Sequence, residues 1–394
     1  MTDKTHISSG LTLSMAAAVG LAIANIYYNQ PMLGVMEHDL PGPLTHLIPT
    51  ATQLGYAAGL LLLVPLGDIL ERRTLIVCQF ALLALALVGA AMAPSATTLI
   101  AASLAVGATA TVAQQIVPFA AHLATPEKRG ATVGTVMAGL LSGILLSRTV
   151  AGVVASHFGW RAMFWLGAPV AVIVGGWMAT VLPRHRPDSV LTYPRLMASL
   201  AHLWSEFPEL RAAALTQALL FGAFSAFWSI LALRLQEPPL SMGADVAGLF
   251  GIVGAVGILV APLAGRIADR HGPYRVILIG TVLALISWLI FGLWSGLAGL
   301  VAGVIVLDFA VQSCLISNQS VIYALRPQAR ARLNTVFMST MFLGGAAGSA
   351  AAAKAWETGG WSAVSGLGVA FGAAATALQI RQARRRKTLA EQTS

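Results

Sequence analysis

The sequence predicts an all-α membrane protein with twelve transmembrane helices arranged as two pseudo-symmetric six-helix bundles. Composition is the first reason. Hydrophobic residues make up 57% of the 394-residue chain, charged residues only 10%, and mean hydropathy is +0.77. A water-soluble fold could not bury that much apolar surface. Secondly, the apolar residues come in runs of about 20 or more, the length an α-helix needs to cross a hydrocarbon core, and the alternating strands of a barrel are absent. Thirdly, landmarks recur at a single offset of 201 residues. Asp68 and Asp269 each follow a long apolar run, Pro126 to Arg129 lies over Pro327 to Arg330, Gly143 over Gly344, and Gly159-Trp160 over Gly360-Trp361. One register across four landmarks marks a duplicated chain.

The elements follow in order. Helix 1 is expected at 11–33; its apolar stretch exceeds that of a signal peptide and no A-x-A-like cleavage site follows it. Towards its outer end lies the polar run Asn25-Ile-Tyr-Tyr-Asn-Gln-Pro31, where Pro31 can break the helix and free backbone carbonyls. Helices 2, 3 and 4 are expected at 46–66, 74–93 and 97–120, the last carrying Gln114 and Gln115. Helix 5, at 131–155, places Gly139, Gly143, Ser147 and Ala151 four residues apart, a small-residue seam that admits a neighbouring helix. Helix 6 is expected at 160–182. Helix 7, at 211–234, carries Phe221, Phe224 and Trp228 on one stripe with Phe227 beside it. Such a stripe serves packing more often than it forms a binding wall. Helices 8, 9 and 10 are expected at 243–264, 275–294 and 297–322, with Gln312 in the last. Helix 11, at 333–355, repeats the seam as Gly344, Gly348 and Ala352, and helix 12 spans 361–380.

These spans divide the chain into an N-terminal bundle at 1–182, a linker at 183–210, and a C-terminal bundle with a basic tail at 211–394. In the linker Leu196, Leu200 and Leu203 have helical spacing, predicting an amphipathic helix on the inner membrane surface. With both termini cytoplasmic, twenty Lys and Arg residues fall inside and only Arg161, Arg234 and Lys354 outside. This positive-inside asymmetry accounts for the net charge of +9 without a nucleic-acid partner, and places the chain in a cell inner membrane. The basic tail reads as a topology anchor in contact with anionic headgroups. Trp160, Trp294, Trp356 and Trp361 fall at predicted outer boundaries, as an aromatic belt would. Cys78 and Cys314 lie in different spans and imply neither a disulfide framework nor a metal site, and Asn318 heads a formal sequon that lies near the inner end of helix 10 and should not be modified.

The loops after helices 2 and 8 carry Gly67-Asp-Ile-Leu-Glu-Arg-Arg73 and Gly265-Arg-Ile-Ala-Asp-Arg-His-Gly272. This pair resembles the signature Gly-x-x-x-Asp-Arg-x-Gly-Arg-Lys/Arg of the major facilitator superfamily, and the resemblance extends over the whole chain. The second copy keeps Gly265, Asp269, Arg270 and Gly272. The first keeps Asp68, Arg72 and Arg73, with Val64, Ile69 and Glu71 at the first Gly, the Arg and the second Gly. These residues could form a conformational latch, a helix-end carboxylate accepting from exposed N–H groups and pairing with an Arg; alternatively they terminate helices and set topology. The helix 5 seam is similar to that of the drug/proton antiporter branch without its Gly-Pro pair. The branch's usual helix 1 acid and helix 4 Arg are replaced here by Asn25 and Ser103.

Ionisable side chains within the spans are costly unless paired or wet, and two occur, Asp308 in helix 10 and Arg148 in helix 5. The resemblance puts helix 10 on a central cavity and helix 5 at the seam between halves. Asp308 and Arg148 could then pair, with proton binding breaking the pair and biasing a conformational equilibrium; alternatively the pair is static and orients helices, or Arg148 snorkels outward. Asn25, Tyr28, Asn29, Gln30, Gln114, Gln115, Phe221, Phe224, Trp228 and Gln312 are the candidate cavity residues, inter-helix bonding and packing being the alternative for each. The resulting expectation is a monomeric secondary transporter exchanging access between membrane faces, with small-molecule substrate and protons as partners and no cofactor or metal. Proton-coupled efflux of apolar or amphiphilic compounds is favoured over uptake of a small organic anion. A receptor or intramembrane enzyme ranks lower, since no catalytic cluster and no P-loop occur.

Overall fold

A computed structural model describes residues 8–125, 127–187, 192–259 and 272–393, and every regular element among them is helical. The chain divides into two compact units, Met1–Leu196 and Met197–Ser394. In the first, helix 1 comprises α1 (Ser9–Ala24) and α2 (Asn29–Asp39), and helix 2 is α3 (Ile48–Leu62) followed by a 3-10 turn at Val64–Asp68. Helix 3 is α4 (Arg72–Ala91), helix 4 comprises α5 (Ala96–Ala110) and α6 (Val112–Leu123), and helices 5 and 6 are α7 (Arg129–Phe158) and α8 (Trp160–Val181). The linker helix is α9 (Tyr193–Glu206). Helix 7 is α10 (Pro208–Gln236), helix 8 begins as α11 (Ala244–Leu259), and helices 9 and 10 are α12 (Pro273–Leu293) and α13 (Leu297–Leu325). A final helix, α14 (Arg330–Thr393), is interrupted by non-helical backbone at Gly359 and Gly360, and its two parts cover helices 11 and 12. Among the described residues ten helical segments are long and apolar enough to span a membrane, α14 counting once; α11 is shorter over its described apolar part.

The repeated Gly-Trp pair has a structural cause. Gly159 takes φ +79° and ends α7, and Gly360 takes φ +57° at the α14 break, a region that side chains with a Cβ avoid. Each following tryptophan then anchors the next helix. Trp160 donates its indole N–H to Asp39 Oδ2 at 3.0 Å, and Trp361 donates to the Phe291 carbonyl at 2.9 Å. Both rings are buried, Trp160 completely. The expected aromatic belt is corrected on this point: these two tryptophans pack within their units, and of the four only Trp294 is largely exposed.

The small-residue seams bring backbones together in both units. A Cβ built on Gly139 would lie 2.3 Å from the Ala16 carbonyl oxygen, and one on Gly143 would lie 2.2 Å from that of Gly20. The second unit repeats the arrangement, with Gly344 against Ala218 and Gly348 against Gly222. Helix 5 thus packs on helix 1 and helix 11 on helix 7, through contacts only glycine allows.

The linker helix departs from expectation. Leu200 and Leu203 are buried in a cluster with Leu210, Ile322, Leu333 and Phe337 of the second unit, and Trp204 packs beside them. Protein, not lipid, covers that part of its apolar face, each leucine contributing about 1.5–3 kcal/mol. Cys78 and Cys314 are free thiols, the latter buried, and Asn318 is buried and donates to Gln217 Oε1 at 3.3 Å.

Candidate functional site

Helix 1 breaks three to six residues before Pro31. A proline ring clashes with the carbonyl four residues earlier, here that of Tyr27, so the α-helical ladder cannot run through. The chain tightens at Asn25–Tyr28: Asn25, Ile26 and Tyr27 donate to the carbonyls three residues back at 3.1–3.3 Å, and Gln30 N–H takes up Tyr27 O at 3.4 Å. This places Asn25, Tyr28, Asn29 and Gln30 in the interior, each 6% exposed or less.

The three amides then find specific partners. Asn25 Nδ2 donates to the Leu21 carbonyl at 2.7 Å, and Asn29 Nδ2 donates to Thr52 Oγ1 at 2.6 Å. Gln114 Nε2 reaches the Tyr56 hydroxyl at 3.2 Å. Arg148 Nε donates to Gln30 Oε1 at 3.0 Å, and its guanidinium carbon lies 4.7 Å from the Tyr27 ring centroid. A buried arginine held by an amide and an aromatic face keeps its charge in a fixed orientation. Two acceptors, Asn25 Oδ1 and Asn29 Oδ1, are buried without a hydrogen-bond partner among the described residues. Such groups are normally satisfied, so both are poised for a donor from water or from a ligand.

Gln115, the neighbour of Gln114, does different work. Its amide donates to the Leu63 and Val64 carbonyls at 2.8 and 3.2 Å, where helix 2 gives way to a 3-10 turn around Pro65. Its Oε1 would lie 2.2 Å from a Cβ at Gly67, so the glycine of the first signature copy makes room for this bond.

In the second unit Asp308 sits part-way along α13 and is 4% exposed. A Cβ at Gly254 would come within 2.5 Å of Asp308 Oδ2 and 3.2 Å of Trp228 Cζ2, so acid, indole and a bare stretch of α11 converge. The helix 7 rings continue from there: Phe224 lies 6.0 Å from Trp228 and stacks on Phe221 at 5.3 Å, and Phe342 closes on Phe221 edge-on at 4.9 Å. Gln312, half-buried, lies one turn beyond Asp308 on the same helix face. Phe227 meets Trp228 edge-on at 5.5 Å and carries the ring series into a second group with Phe291, Trp288 and Trp361, stacking on Phe291 at 4.5 Å. Asp308 and Arg148 belong to different units, each with the surroundings just described.

The first signature copy makes its contacts inside the N-terminal unit. Asp68 closes the 3-10 turn and interacts electrostatically with Arg72, whose Nε donates to the Gly67 carbonyl at 3.2 Å while its guanidinium lies over Phe119. Arg73 donates to the Leu182 carbonyl at the end of α8. Glu71 is the N-cap of α4, accepting from the N–H groups of Arg73, Thr74 and His185 at 3.0, 2.9 and 3.2 Å. Its slight burial acts to raise its pKa, but the Thr74 hydroxyl and these three N–H donors outweigh it and hold the carboxyl at about 2. In the second copy Gly272, at φ +82°, is the N-cap of α12; Gly265, Asp269 and Arg270 lie outside the described residues.

Sequence reasoning missed Tyr27, Thr52, Tyr56 and Glu71. Thr52 and Tyr56 lie four residues apart in an apolar run, a polar stripe at helical period, and Glu71 precedes a helix start at a capping position. It also missed the amide set of the second unit, in which Gln217 Nε2 reaches the Val311 carbonyl and Gln379 Nε2 donates to Thr216 Oγ1. Among the described residues no group of three or more His, Cys, Asp or Glu is placed to hold a metal ion.

Comparison with known proteins adds a family to this geometry. The family model of the Major Facilitator Superfamily matches residues 13–348 and 213–393. The chain is 43% identical over 370 residues to the putative uncharacterized transporter YgaY of Escherichia coli K12, covering 92% of this chain and 93% of the relative. It is 34% identical over 375 residues to a probable transporter of Streptomyces coelicolor, covering 93% and 86%. Among solved structures, the nucleoside transporter NupG superposes with a TM-score of 0.71 at 16% identity, covering 94% of this chain and 97% of that one, a likeness of fold. The chain therefore belongs to the major facilitator superfamily and is a multi-pass membrane transporter of small molecules, not an enzyme.

Proposed function

We propose that this protein is a proton-coupled exporter of small apolar or amphiphilic compounds, acting as a monomer by alternating access, with both termini cytoplasmic in a bacterial inner membrane. The observation that carries the reading is Asp308: an acid almost fully buried in a spanning helix, beside Trp228 and at the end of the Phe221–Phe224 ring series. An intramembrane carboxylate is costly to keep and is the natural proton carrier, while aromatic walls suit an apolar guest. Protonation removes its charge, and a conformation that exposes Asp308 differently to the two faces then responds to the proton gradient. The amides and tyrosines around Asn25, Asn29 and Gln114 supply uncharged bonds that orient a guest, and the N-terminal unit adds an apolar crevice of about 690 Å³ along α1, α7 and α8. The proposed halves are 1–182 and 211–394, joined by 183–210, with the signature loops as the latch.

A second reading rests on Arg148. Held by Gln30 and Tyr27, its fixed charge suits a carboxylate or similar group, favouring proton-coupled uptake of a small organic anion. Proteoliposomes with an imposed pH gradient separate the two. Export predicts substrate moving against the proton flux and uptake predicts movement with it. Asp308→Asn abolishes gradient-driven movement while leaving counterflow; gradient-driven transport at the wild-type rate in that variant would refute the proton role of Asp308.

A further inference from the structure

At the end of the C-terminal unit where the chain finishes, the structure holds a second cavity, of about 570 Å³, distinct from the residues assigned to transport. Its rim is basic. Arg381, Arg384, Arg385 and Arg386 line it from the tail of α14, with Glu209 the one carboxylate among the described lining residues. Its wall is apolar, formed by Ala212 and Ala213 of α10, Ile277 of α12 and Val321 of α13. The floor carries two buried amides, Asn318 and Gln379, each fixed by a hydrogen bond to α10, through Gln217 and Thr216 respectively.

The tail does not trail away from this cavity. Arg386 lays its guanidinium over the Tyr274 ring, 3.6 Å from the centroid, which fastens the last helical turns across the start of α12. Two helices begin here as well, α10 at Pro208 and α12 at Pro273, and neither has a side-chain cap on its first N–H groups. Their positive ends add to the arginine field, with Glu209 offsetting part of it at α10.

We infer that this cavity binds the phosphate headgroup of an anionic phospholipid, with its glycerol and first methylene groups against the apolar wall. Charge decides the headgroup: four guanidiniums suit a phosphodiester that also offers several acceptor oxygens. The wall decides the source. A free phosphate would use the arginines alone and leave Ala212, Ala213, Ile277 and Val321 unused, whereas an amphiphile uses both. The site is also placed for a lipid, since it sits at the ends of membrane-spanning helices, the level of the headgroups.

The test uses the purified full-length protein in detergent, its thermal unfolding followed with added phosphatidylglycerol, added phosphatidylcholine, or inorganic phosphate alone. Phosphatidylglycerol is expected to raise the unfolding temperature, and the other two to leave it unchanged. Replacing Arg384→Gln and Arg385→Gln together is expected to weaken phosphatidylglycerol binding about 30-fold, at about a tenfold per 1.4 kcal/mol and roughly 1 kcal/mol per basic residue near the headgroups. The lipid-free unfolding temperature of that variant is expected to match wild type, because both side chains are exposed. Glu209→Gln is expected to tighten binding. Equal stabilisation by phosphatidylcholine, stabilisation by inorganic phosphate alone, or an undiminished lipid response in the double variant would each overturn the assignment. Should the double variant fail to fold, Glu209→Gln carries the same test with the opposite sign.

Discussion

Replacing Gly143 with alanine adds one methyl group at the closest approach of helix 5 to helix 1. That Cβ would lie 2.2 Å from the Gly20 carbonyl oxygen, 2.5 Å from Gly20 Cα and 2.6 Å from its carbonyl carbon, all backbone atoms. A normal contact needs about 3.5 Å, so the two helices must part by roughly 1 Å along the seam. No side chain can rotate out of the way, which puts the strain at the upper end of the overpacking range, about 3 kcal/mol. Alanine returns about 1 kcal/mol in helix propensity, leaving a net loss of about 2 kcal/mol. Gly134 lies on the same helix with nothing within 4 Å of its would-be Cβ, and Gly134→Ala keeps only the propensity gain of about 1 kcal/mol. Two identical substitutions nine residues apart should therefore shift stability in opposite directions. Equilibrium unfolding in mixed micelles, titrated with sodium dodecyl sulfate and followed by tryptophan fluorescence, measures both. A Gly143→Ala protein as stable as wild type, or both variants shifting the same way, would refute the backbone-contact argument.

The cap on α4 is pH-dependent. Glu71 is held at about 2 against an ordinary 4.5, so its stabilisation is complete above pH 4.5 and fades as pH falls through 2. Glu71→Ala should cost about 1 kcal/mol at neutral pH, and unfolding measured over a pH series should show the gap to wild type closing in acid. Gln115→Leu removes the side-chain donor shared by the Leu63 and Val64 carbonyls, the former keeping the Leu66 N–H at 3.1 Å, and should lower micellar unfolding stability by about 0.5–1.5 kcal/mol. Phe227→Ala empties the middle of the Phe291–Trp288–Trp361 cluster and should cost about 3–5 kcal/mol in the same measurement.

Much of the architecture is legible in the sequence because it rests on period and punctuation. Apolar run length located the helices, and the 201-residue register linked Gly143 to Gly344 and Gly159 to Gly360, whose backbones then behaved alike. Pairings across helices were not legible. Gln114 and Gln115 are adjacent and chemically identical, yet one bonds a tyrosine hydroxyl and the other caps a neighbouring helix, because a 100° rotation about the helix axis separates them. Phe224 and Phe227 both meet Trp228, but one goes on to stack on Phe221 and the other on Phe291, for a similar reason. The apolar face of the linker helix fits membrane or protein equally well by sequence, and only the cluster around Leu210 and Phe337 decides what covers Leu200 and Leu203. Trp160 and Trp361 sit at helix starts, where a belt residue and a packing anchor share the same sequence position, and their indole bonds decide between them.

The glycine seam between helices 1 and 5 has a mechanical corollary. Helices in backbone contact cannot slide past one another without a steric jolt at every turn, so this pair moves as a single lever. Arg148 is mounted on one arm, with Tyr27 and Gln30 on the other. Any tilt of that lever carries the cation, its aromatic cradle and its amide strut together, so their mutual geometry survives the motion.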